Sequence, residues 1–295
     1  EPAIHAFRQA VSQGPKNALY WLNLASVLRR HRQIDEALKA AQRAFELDRR
    51  SHLACHLCAE LLRHQNRSAA ALQTLQRLDP SVERDTRHLL LEGALLMALA
   101  RWQDAAVTFL NVLAKEPAHI EAYQQLGFAL ANLQRHADAS ECFRTVAILE
   151  PQLGSAIYSA HYSAWACDWR NVADDEARIA EAMPRLGENG GAPGYSPFCL
   201  LSLNDDAAMH RQAAVVSARH LAHEARRSEF SGAWVAPEAG PQGYPRVLEQ
   251  ARCRIGFVSA DFRQHATSTL LVRTLERLDR ERFEVFLRSE ERRVG

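Results

Sequence analysis

The sequence predicts a mainly α-helical chain in which a solenoid of paired helices precedes the first βαβ unit of a parallel α/β domain. Two observations lead to this fold class. Apolar residues recur at helical spacing through the first half of the chain, with a period near 34 residues that is typical of helical-pair repeats. Between Cys253 and Leu287, an apolar run, a polar turn, a helical pattern and a second apolar run follow one another, which is a strand–loop–helix–strand order.

The first helix of each predicted pair carries a small residue that lets its partner helix approach closely. Larger apolar residues at neighbouring helical positions fill the groove between the two helices. The aligned positions are Trp21, Leu24, Ala25 and Leu28, then Cys55, Cys58, Ala59 and Leu62, then Leu90, Gly93, Ala94 and Met97, then Tyr123, Leu126, Gly127 and Leu130.

The second helices show a matching apolar pattern, and Pro117 and Pro151 close two of them because proline lacks an N–H and clashes with the preceding turn. The whole pattern resembles the tetratricopeptide repeat over about 150 residues. The opening residues resemble the second helix of an earlier repeat, so the chain is expected to begin within a repeat. The aligned second-helix positions are Ala37, Ala41 and Ala44, then Ala71, Leu75 and Leu78, then Ala106, Leu110 and Leu113, then Ala139, Phe143 and Val146.

Composition shifts divide the chain into five predicted parts. About 4.5 repeats are expected over residues 1–153, followed by a helical capping and connector region over 154–227. In the latter, Tyr158, Tyr162, Trp165 and Trp169 are expected to pack aromatic rings onto the last repeat. A linker rich in Gly and Pro spans 228–251, and the α/β unit spans 252–287. Residues 288–295 continue neither a helix nor a strand pattern and are predicted to be a non-native tail, similar to a translated sequencing adapter.

Charge and cysteine content narrow the classes of partner and compartment. The 295 residues include 36 Lys and Arg against 35 Asp and Glu, a net charge of +1 that favours neither nucleic acid nor a membrane surface as a partner. No apolar run is long enough for a membrane-spanning helix. Six cysteines scattered through a chain of this length indicate reduced thiols and a cytoplasmic location.

Cysteines and histidines near residue 55 form a tempting but weak metal or redox motif. Cys55 and Cys58 are spaced as Cys-x-x-Cys, yet both fall on predicted core positions of a repeat helix and no second pair follows. We therefore interpret them as buried structural thiols. His52, His56 and His64 lack an acidic partner in a ligand pattern and are expected to be surface or interhelical residues, so no metal is predicted.

The concave face of a helical-repeat stack is a binding surface by its geometry. Asn23 lies on the face expected to point into it, where a side-chain amide can hydrogen-bond an extended peptide. The equivalent positions in the later repeats are Leu57, Glu92 and Gln125, so a continuous polar ladder is not expected. A protein or peptide in this groove is the partner that the repeats predict.

The loop after the first predicted strand holds the other candidate site. His265 follows the strand that ends near Ser259, and ligands of open α/β sheets collect beyond the carboxyl ends of strands. A histidine there can exchange a proton near neutral pH. Thr267, Ser268 and the first N–H groups of the following helix can hold an anion, and Asp261 lies in the same loop.

The junction residues 254–262, 265–268 and 279–285 resemble the entry to the catalytic region of O-linked N-acetylglucosamine transferases. Residues 166–169, 196–198 and 200–203 resemble the connector of the bacterial members. These enzymes carry tetratricopeptide repeats before a catalytic region of two Rossmann-like halves. The resemblance implies that 252–287 begins the first half, and that the chain is truncated at both ends.

By this resemblance, His265 matches the active-site histidine of the family's His-Pro-Thr-Ser-His-Leu loop and would assist at the acceptor hydroxyl. Ala266 replaces the proline and Thr269 replaces the second histidine, so the role of that second histidine is lost. The implied reaction transfers N-acetylglucosamine from UDP-N-acetylglucosamine to Ser or Thr hydroxyls of proteins, without a cofactor. Asp261, Thr267, Ser268 and Asn23 would bind substrates.

The resemblance also implies that residues 1–295 alone are inactive, because the family's donor contacts lie mostly in the second Rossmann-like half. Two alternatives stay open. The first is a non-catalytic repeat scaffold for protein–protein interaction. The second is an O-fucosyltransferase of the Spindly type, which uses GDP-fucose as the donor.

Overall fold

The computed structural model describes residues 2–151, 153–183, 194–227, 253–259, 261–263 and 265–289. The chain divides into two compact units, Glu1–Ala225 and Arg226–Gly295. The predicted linker at 228–251 and the final residues 290–295 lie outside the described residues.

Paired helices form most of the first unit, as the sequence predicts. Each helix packs against the next along the chain, and helices α2, α4, α6 and α8 also contact one another in sequence, so these first helices of successive pairs line one common face. The bounds are α1 Pro2–Gln13, α2 Ala18–Arg30, α3 Ile34–Leu47, α4 His52–His64, α5 Ser68–Gln76, α6 Thr86–Ala98, α7 Trp102–Lys115, α8 Ile120–Asn132 and α9 His136–Leu149.

The first helices begin and end in the same way at intervals of 34 residues. At each start a side chain accepts a hydrogen bond from a backbone N–H of the first turn, which satisfies an otherwise unpaired donor. These N-caps are Asn17, Ser51, Asp85 and His119. At each end one residue adopts a positive φ near 60°, and the next N–H bonds back five residues, which is a Schellman closure. The positive-φ residues are Arg32, Asn66, Ala100 and Gln134.

The third repeat lies one residue earlier than the apolar pattern suggested. Gly93, and not Ala94, occupies the close-packed small position, and the buried residues of α6 include Leu89 and Leu96. In α7 the buried residues include Phe109 and Val112, whereas Leu110 is exposed. The predicted register was wrong because each of these core residues has an apolar neighbour in sequence, so apolar character alone leaves two registers open.

The repeat geometry continues beyond α9 through α10 (Leu153–Trp165) and α11 (Val172–Ala182). Cys167 repeats the positive-φ closure at the end of α10. A 3-10 helix over Pro197–Ser202 and α12 (Ala207–Arg227) complete the unit, with Ile157, Ile179 and Leu200 in a shared small core.

The four aromatic residues in and just after α10 separate into a packed pair and a largely exposed pair. Tyr158 and Tyr162 pack against the Phe143 ring of the last repeat, with ring centroids 5.0 and 5.6 Å away. Trp165 and Trp169 are 58 % and 63 % exposed. One side of the Trp165 ring still contacts His136 of α9, with centroids 5.1 Å apart, so the expectation that all four rings pack onto the repeat was wrong for Trp169. Trp169 follows the helix end, where helical spacing no longer applies.

A strand, a helix and a second strand form the described part of the second unit. Strand β1 (Cys253–Ser259) and strand β2 (Phe283–Ser289) are parallel, with α13 (Ala266–Arg277) connecting them. This confirms the predicted strand–helix–strand order, but two strands do not make a Rossmann domain. Strand β2 continues to Ser289, beyond the predicted limit at Leu287, because Arg288 and Ser289 pair with Val258 and Ser259.

Every helix within the described ranges is too short or too polar to cross a lipid bilayer.

We expect Gly127→Ala to destabilise the repeat unit by about 1–3 kcal/mol through overpacking. A methyl group there would meet Phe143 at 2.7 Å, and that buried ring is held by Phe128 and Tyr158. Urea denaturation of Gly127→Ala, Phe143→Leu and the double variant gives the coupling free energy between the two positions. Additive changes in the free energy of unfolding would contradict a steric conflict between them.

Ala100→Gly should stabilise the unit by about 0.5–1 kcal/mol. Glycine removes the strain of the left-handed conformation, and this gain is larger than the conformational entropy that glycine adds to the unfolded chain. Ala100 has φ 56°. Ala98 is a matched control, because it is an exposed alanine in the last turn of α6, where replacement by glycine should destabilise by up to about 1 kcal/mol. Denaturation midpoints of the two variants should therefore move in opposite directions.

Candidate functional site

The common face of the first helices carries the predicted groove residues. Asn23 and Gln125 are half-buried on α2 and α8. Leu57 is buried on α4. In the corrected register of the third repeat the equivalent residue on α6 is the half-buried Leu91, and not Glu92, whose carboxylate forms an ion pair with Arg84 at 3.4 Å. The equivalent positions therefore do not form a continuous ladder of amides, as the sequence indicated.

An ion-pair network crosses three of these helices. The carboxylate of Glu60 on α4 accepts from Arg29 on α2 and from Arg87 on α6, each at 2.8 Å. A single exposed ion pair contributes little, but a shared carboxylate with two guanidinium partners holds three helices in a fixed order. This part of the face is charged and already internally paired.

An aromatic hollow of about 270 Å³ lies farther along the chain. His136, His161, Tyr162 and Trp165 line it, and we call this set the aromatic hollow. The His136 and Tyr162 rings are stacked, with centroids 6.0 Å apart, and the Trp165 ring lies 5.1 Å from His136. The exposed indole beside these rings offers an apolar surface with an N–H donor, a combination enriched at binding interfaces.

His161 is held in the wall of the hollow by the 3-10 helix. Its Nδ1 lies 3.0 Å from the Ser202 hydroxyl oxygen. Burial lowers the pKa of His161, and the neighbouring His136 lowers it further, although a hydrogen bond with the Cys199 backbone acts in the opposite direction. The hollow is therefore lined by a neutral imidazole at neutral pH, which suits an uncharged side chain.

A second cavity, of about 390 Å³, lies between α10, α11 and the start of α12. Its lining includes Trp169, Ile179 and Met209 together with the carboxylates of Asp175 and Glu176. Burial raises the pKa of Asp175 even though Arg144 lies 3.8 Å from its carboxylate. This cavity explains why the Trp169 indole is largely exposed.

The loop between β1 and α13 brings the other predicted site residues together. His265 is the N-cap of α13, and its Nδ1 accepts a hydrogen bond from the Thr267 N–H at 3.2 Å. The Asp261 carboxylate lies 3.8 Å from the same nitrogen, and the Ser268 hydroxyl donates to the Asp261 carbonyl. Asp261 and His265 thus lie in the loop at the carboxyl end of β1, and Thr267 and Ser268 lie beside them in the first turn of α13.

Two contacts of His265 Nδ1 call for different protonation of the ring. The hydrogen bond from the Thr267 N–H requires a lone pair on Nδ1, whereas the Asp261 carboxylate 3.8 Å away favours a proton there. Both contacts engage Nδ1, so Nε2 is the ring nitrogen left to meet a substrate group.

Burial determines the protonation state of the two thiols of the Cys-x-x-Cys pair. Cys55 and Cys58 have no solvent exposure, and burial raises the pKa of each thiol to about 12. Neither thiol forms a thiolate at neutral pH, which agrees with their interpretation as structural residues.

The three nearby histidines do not behave alike. His64 is exposed at the end of α4, whereas His56 is buried and contacts His88 of α6. Burial lowers the pKa of His56 and lowers that of His88 to about 4, so both imidazoles are neutral at pH 7.

Two groups of residues were missed at the sequence level. The aromatic hollow joins side chains from α9 and α10, and His88 was not associated with His52 and His56. The 34-residue period does not reveal the second group, because the residue one repeat before His88 is Ala54 and only the packing of α4 against α6 brings the three histidines together.

Comparison with protein families gives one match, to the tetratricopeptide repeat, over residues 120–152. These residues are α8, α9 and the adjoining turns. The match supports the tetratricopeptide-type arrangement of the helical pairs. A search of the curated proteins gives no match.

Solved structures share this helical architecture. The tetratricopeptide-repeat protein YrrB, described as having an unusual peptide-binding site, is 16 % identical with a TM-score of 0.55, covering 72 % of this chain and all of YrrB. PilW, a type IV pilus biogenesis factor, is 18 % identical with a TM-score of 0.51 and coverages of 68 % and 89 %. MamA from Desulfovibrio magneticus RS-1 is 18 % identical with a TM-score of 0.51 and coverages of 57 % and 96 %. At these identities the likeness establishes the fold alone.

Acidification should reduce the stability of the repeat unit, in part through His161. Its pKa is lowered in the folded chain, so below about pH 6.5 the unfolded chain binds the proton first and unfolding becomes more favourable as pH falls. His161→Gln should flatten the dependence of the free energy of unfolding on pH in this range. The exposed His5 is the control, and an equal flattening by His5→Gln would contradict the assignment.

Proposed function

We propose that the repeats of this chain bind an extended polypeptide along the face formed by α2, α4, α6 and α8, with an apolar side chain of that polypeptide in the aromatic hollow. The observation that carries this proposal is the exposed Trp165 indole beside the stacked His136 and Tyr162 rings. Clustered aromatic side chains supply much of the free energy of binding in protein interfaces.

The common face of α2, α4, α6 and α8 is also consistent with a polypeptide partner. Asn23 and Gln125 place amide groups where a peptide backbone would run, and amides can both donate to and accept from that backbone. The shared tetratricopeptide fold adds support, since stacked helical pairs form extended binding surfaces. One structural neighbour, YrrB, is itself described as having a peptide-binding site.

Selection from a displayed library of random peptides, followed by affinity measurement on the selected peptides, tests this proposal. Trp165→Ala should weaken binding at least about tenfold, because truncation of an interface tryptophan typically costs 2 kcal/mol or more. Trp169→Ala is the matched control, since Trp169 is equally exposed but lines the second cavity.

The proposal fails if the peptides bind Trp165→Ala as well as they bind the unmodified chain. It also fails if Trp169→Ala has the larger effect, because the polypeptide would then occupy the second cavity.

We further propose that the β1–α13–β2 unit belongs to a cytoplasmic protein O-glycosyltransferase that uses UDP-N-acetylglucosamine. The resemblance of residues 254–262, 265–268 and 279–285 to that enzyme family is the main support. The position of His265 at the carboxyl end of β1 supports it as well, because substrates of open α/β sheets bind there. His265 would assist at the acceptor hydroxyl by accepting its proton as the oxygen bonds to the sugar, while Thr267 and Ser268 lie at the N-terminus of α13, where an anionic group is stabilised.

The reading frame that encodes this chain decides between the catalytic and the scaffold candidates. A second α/β half encoded after β2 favours the transferase, and a stop codon shortly after β2 favours the scaffold. Residues 1–295 alone should neither hydrolyse UDP-N-acetylglucosamine nor transfer its sugar to a Ser/Thr peptide, and clear turnover would contradict this division of roles. On an extended protein, titration with UDP-N-acetylglucosamine and GDP-fucose separates the two donors, and His265→Ala should abolish transfer.

A further inference from the structure

Three histidines from two successive repeats converge beside the start of α6. His52 and His56 are one turn apart on α4, so their side chains lie on the same helical face. His88 lies in the first turn of α6 and faces them. His56 is 2 % exposed and His88 is fully buried, while the His52 side chain at the outer edge is 26 % exposed.

The spacing of the ring nitrogens matches a metal site. One nitrogen from each ring lies within 4.8 Å of the other two. His56 Nε2 and His88 Nδ1 are 3.3 Å apart. Two ligands at about 2.0–2.1 Å from a tetrahedral Zn²⁺ are separated by about 3.3–3.4 Å, so this pair already has the required spacing. The rings meet at interplanar angles of 47°, 65° and 86°, so they approach one another in tilted or edge-on orientations and not as a stack.

Hydrogen bonds within the described residues do not give every nitrogen of these three histidines a partner. If His56 and His88 share a proton, each uses one nitrogen, and the second nitrogen of His88 stays buried without a partner among the described residues. Nδ1 of His52 is in the same condition. Buried polar atoms without partners are costly and rare in folded proteins. A bound ion would satisfy His52 Nδ1, whereas an ion held by His88 Nδ1 leaves His88 Nε2 as it is.

Asp85 supplies the negative charge that a cation requires. Its Oδ1 caps α6 by accepting from the His88 N–H at 2.7 Å, which fixes the carboxylate beside the histidines. Its Oδ2 lies 4.0 Å from His52 Nδ1. This oxygen can ligate an ion directly, or it can orient His52 as carboxylates commonly do around metal-bound histidines.

We propose that His52, His56 and His88 bind a Zn²⁺ ion, with Asp85 or a water molecule in the fourth position. Imidazole and carboxylate ligands in a four-coordinate arrangement suit Zn²⁺. The ion would join α4 to α6 across the shortest helix of the repeats, α5, whose nine residues give the second pair less packing surface than its neighbours. Zn²⁺ would therefore stabilise the solenoid where helix packing is weakest, since metal-binding free energy adds to folding free energy.

The test uses the full chain without a polyhistidine tag, freed of metal with a chelator. Titration with Zn²⁺ against a chromogenic chelator should give about one ion per chain, and Co²⁺ in its place should give the visible absorption of a tetrahedral site. His88→Gln and His56→Gln should each weaken Zn²⁺ binding by at least about 100-fold, because loss of an outer-shell partner alone already costs 10–100-fold. Zn²⁺ should raise the melting temperature of the unmodified chain but not of these variants.

His64→Gln is the matched control, because His64 lies on the same helix but is exposed and outside the cluster. If circular dichroism shows that the buried-site variants do not fold, His52→Gln at the outer edge replaces them and should weaken binding by at least about tenfold. The proposal is overturned if the unmodified chain binds Zn²⁺ more weakly than about 10 μM, since structural zinc sites bind far more tightly. It is equally overturned if His64→Gln lowers the affinity as much as the cluster variants do.

Discussion

Close approach of the two helices within each repeat is the constraint on which the rest of the repeat unit depends. Ala25, Ala59, Gly93 and Gly127 stand at the same point of successive first helices, and all are buried. Opposite the two glycines lie the rings of Phe109 and Phe143, so close that no side chain fits between. Interiors pack at near-crystalline density, so a small residue on one helix and a large one on its partner set the distance between them.

That distance is reproduced from pair to pair because the turns are also reproduced. The caps at the helix starts and the left-handed residues at the helix ends recur every 34 residues, and each closes the same backbone hydrogen bonds. Arg32, Ala100 and Gln134 adopt the left-handed conformation although glycine or asparagine would do so at lower cost. The chain accepts this strain at several turns because the following helix must reverse direction within a few residues to reach its partner.

The candidate binding surfaces follow from what this packing leaves uncovered. The first helices present one common face, on which Glu60 pairs with Arg29 and Arg87. The aromatic hollow lies farther along the chain, at the α8–α9 turn, α9 and α10. The packing of α4 against α6 brings His88 to His52 and His56, so that imidazoles of neighbouring repeats meet between helices. The proposed binding surface and the buried histidines thus both follow from the stacking of the first helices.

The sequence alone determined the helical pairs, the strand–helix–strand order and the burial of Cys55 and Cys58, because apolar spacing and proline placement are local properties of the chain. It also determined that His265, Asp261, Thr267 and Ser268 lie near one another after β1, since they are close in sequence. It left the register of the third repeat open where apolar residues adjoin one another, as at Phe109 and Leu110.

Only the tertiary structure decided which of the aromatic residues in and after α10 stay exposed and which histidines meet. Each of these depends on contacts between residues far apart in sequence. Such contacts are fixed by how rigid helices pack in three dimensions, and a one-dimensional pattern of residue types does not contain that information.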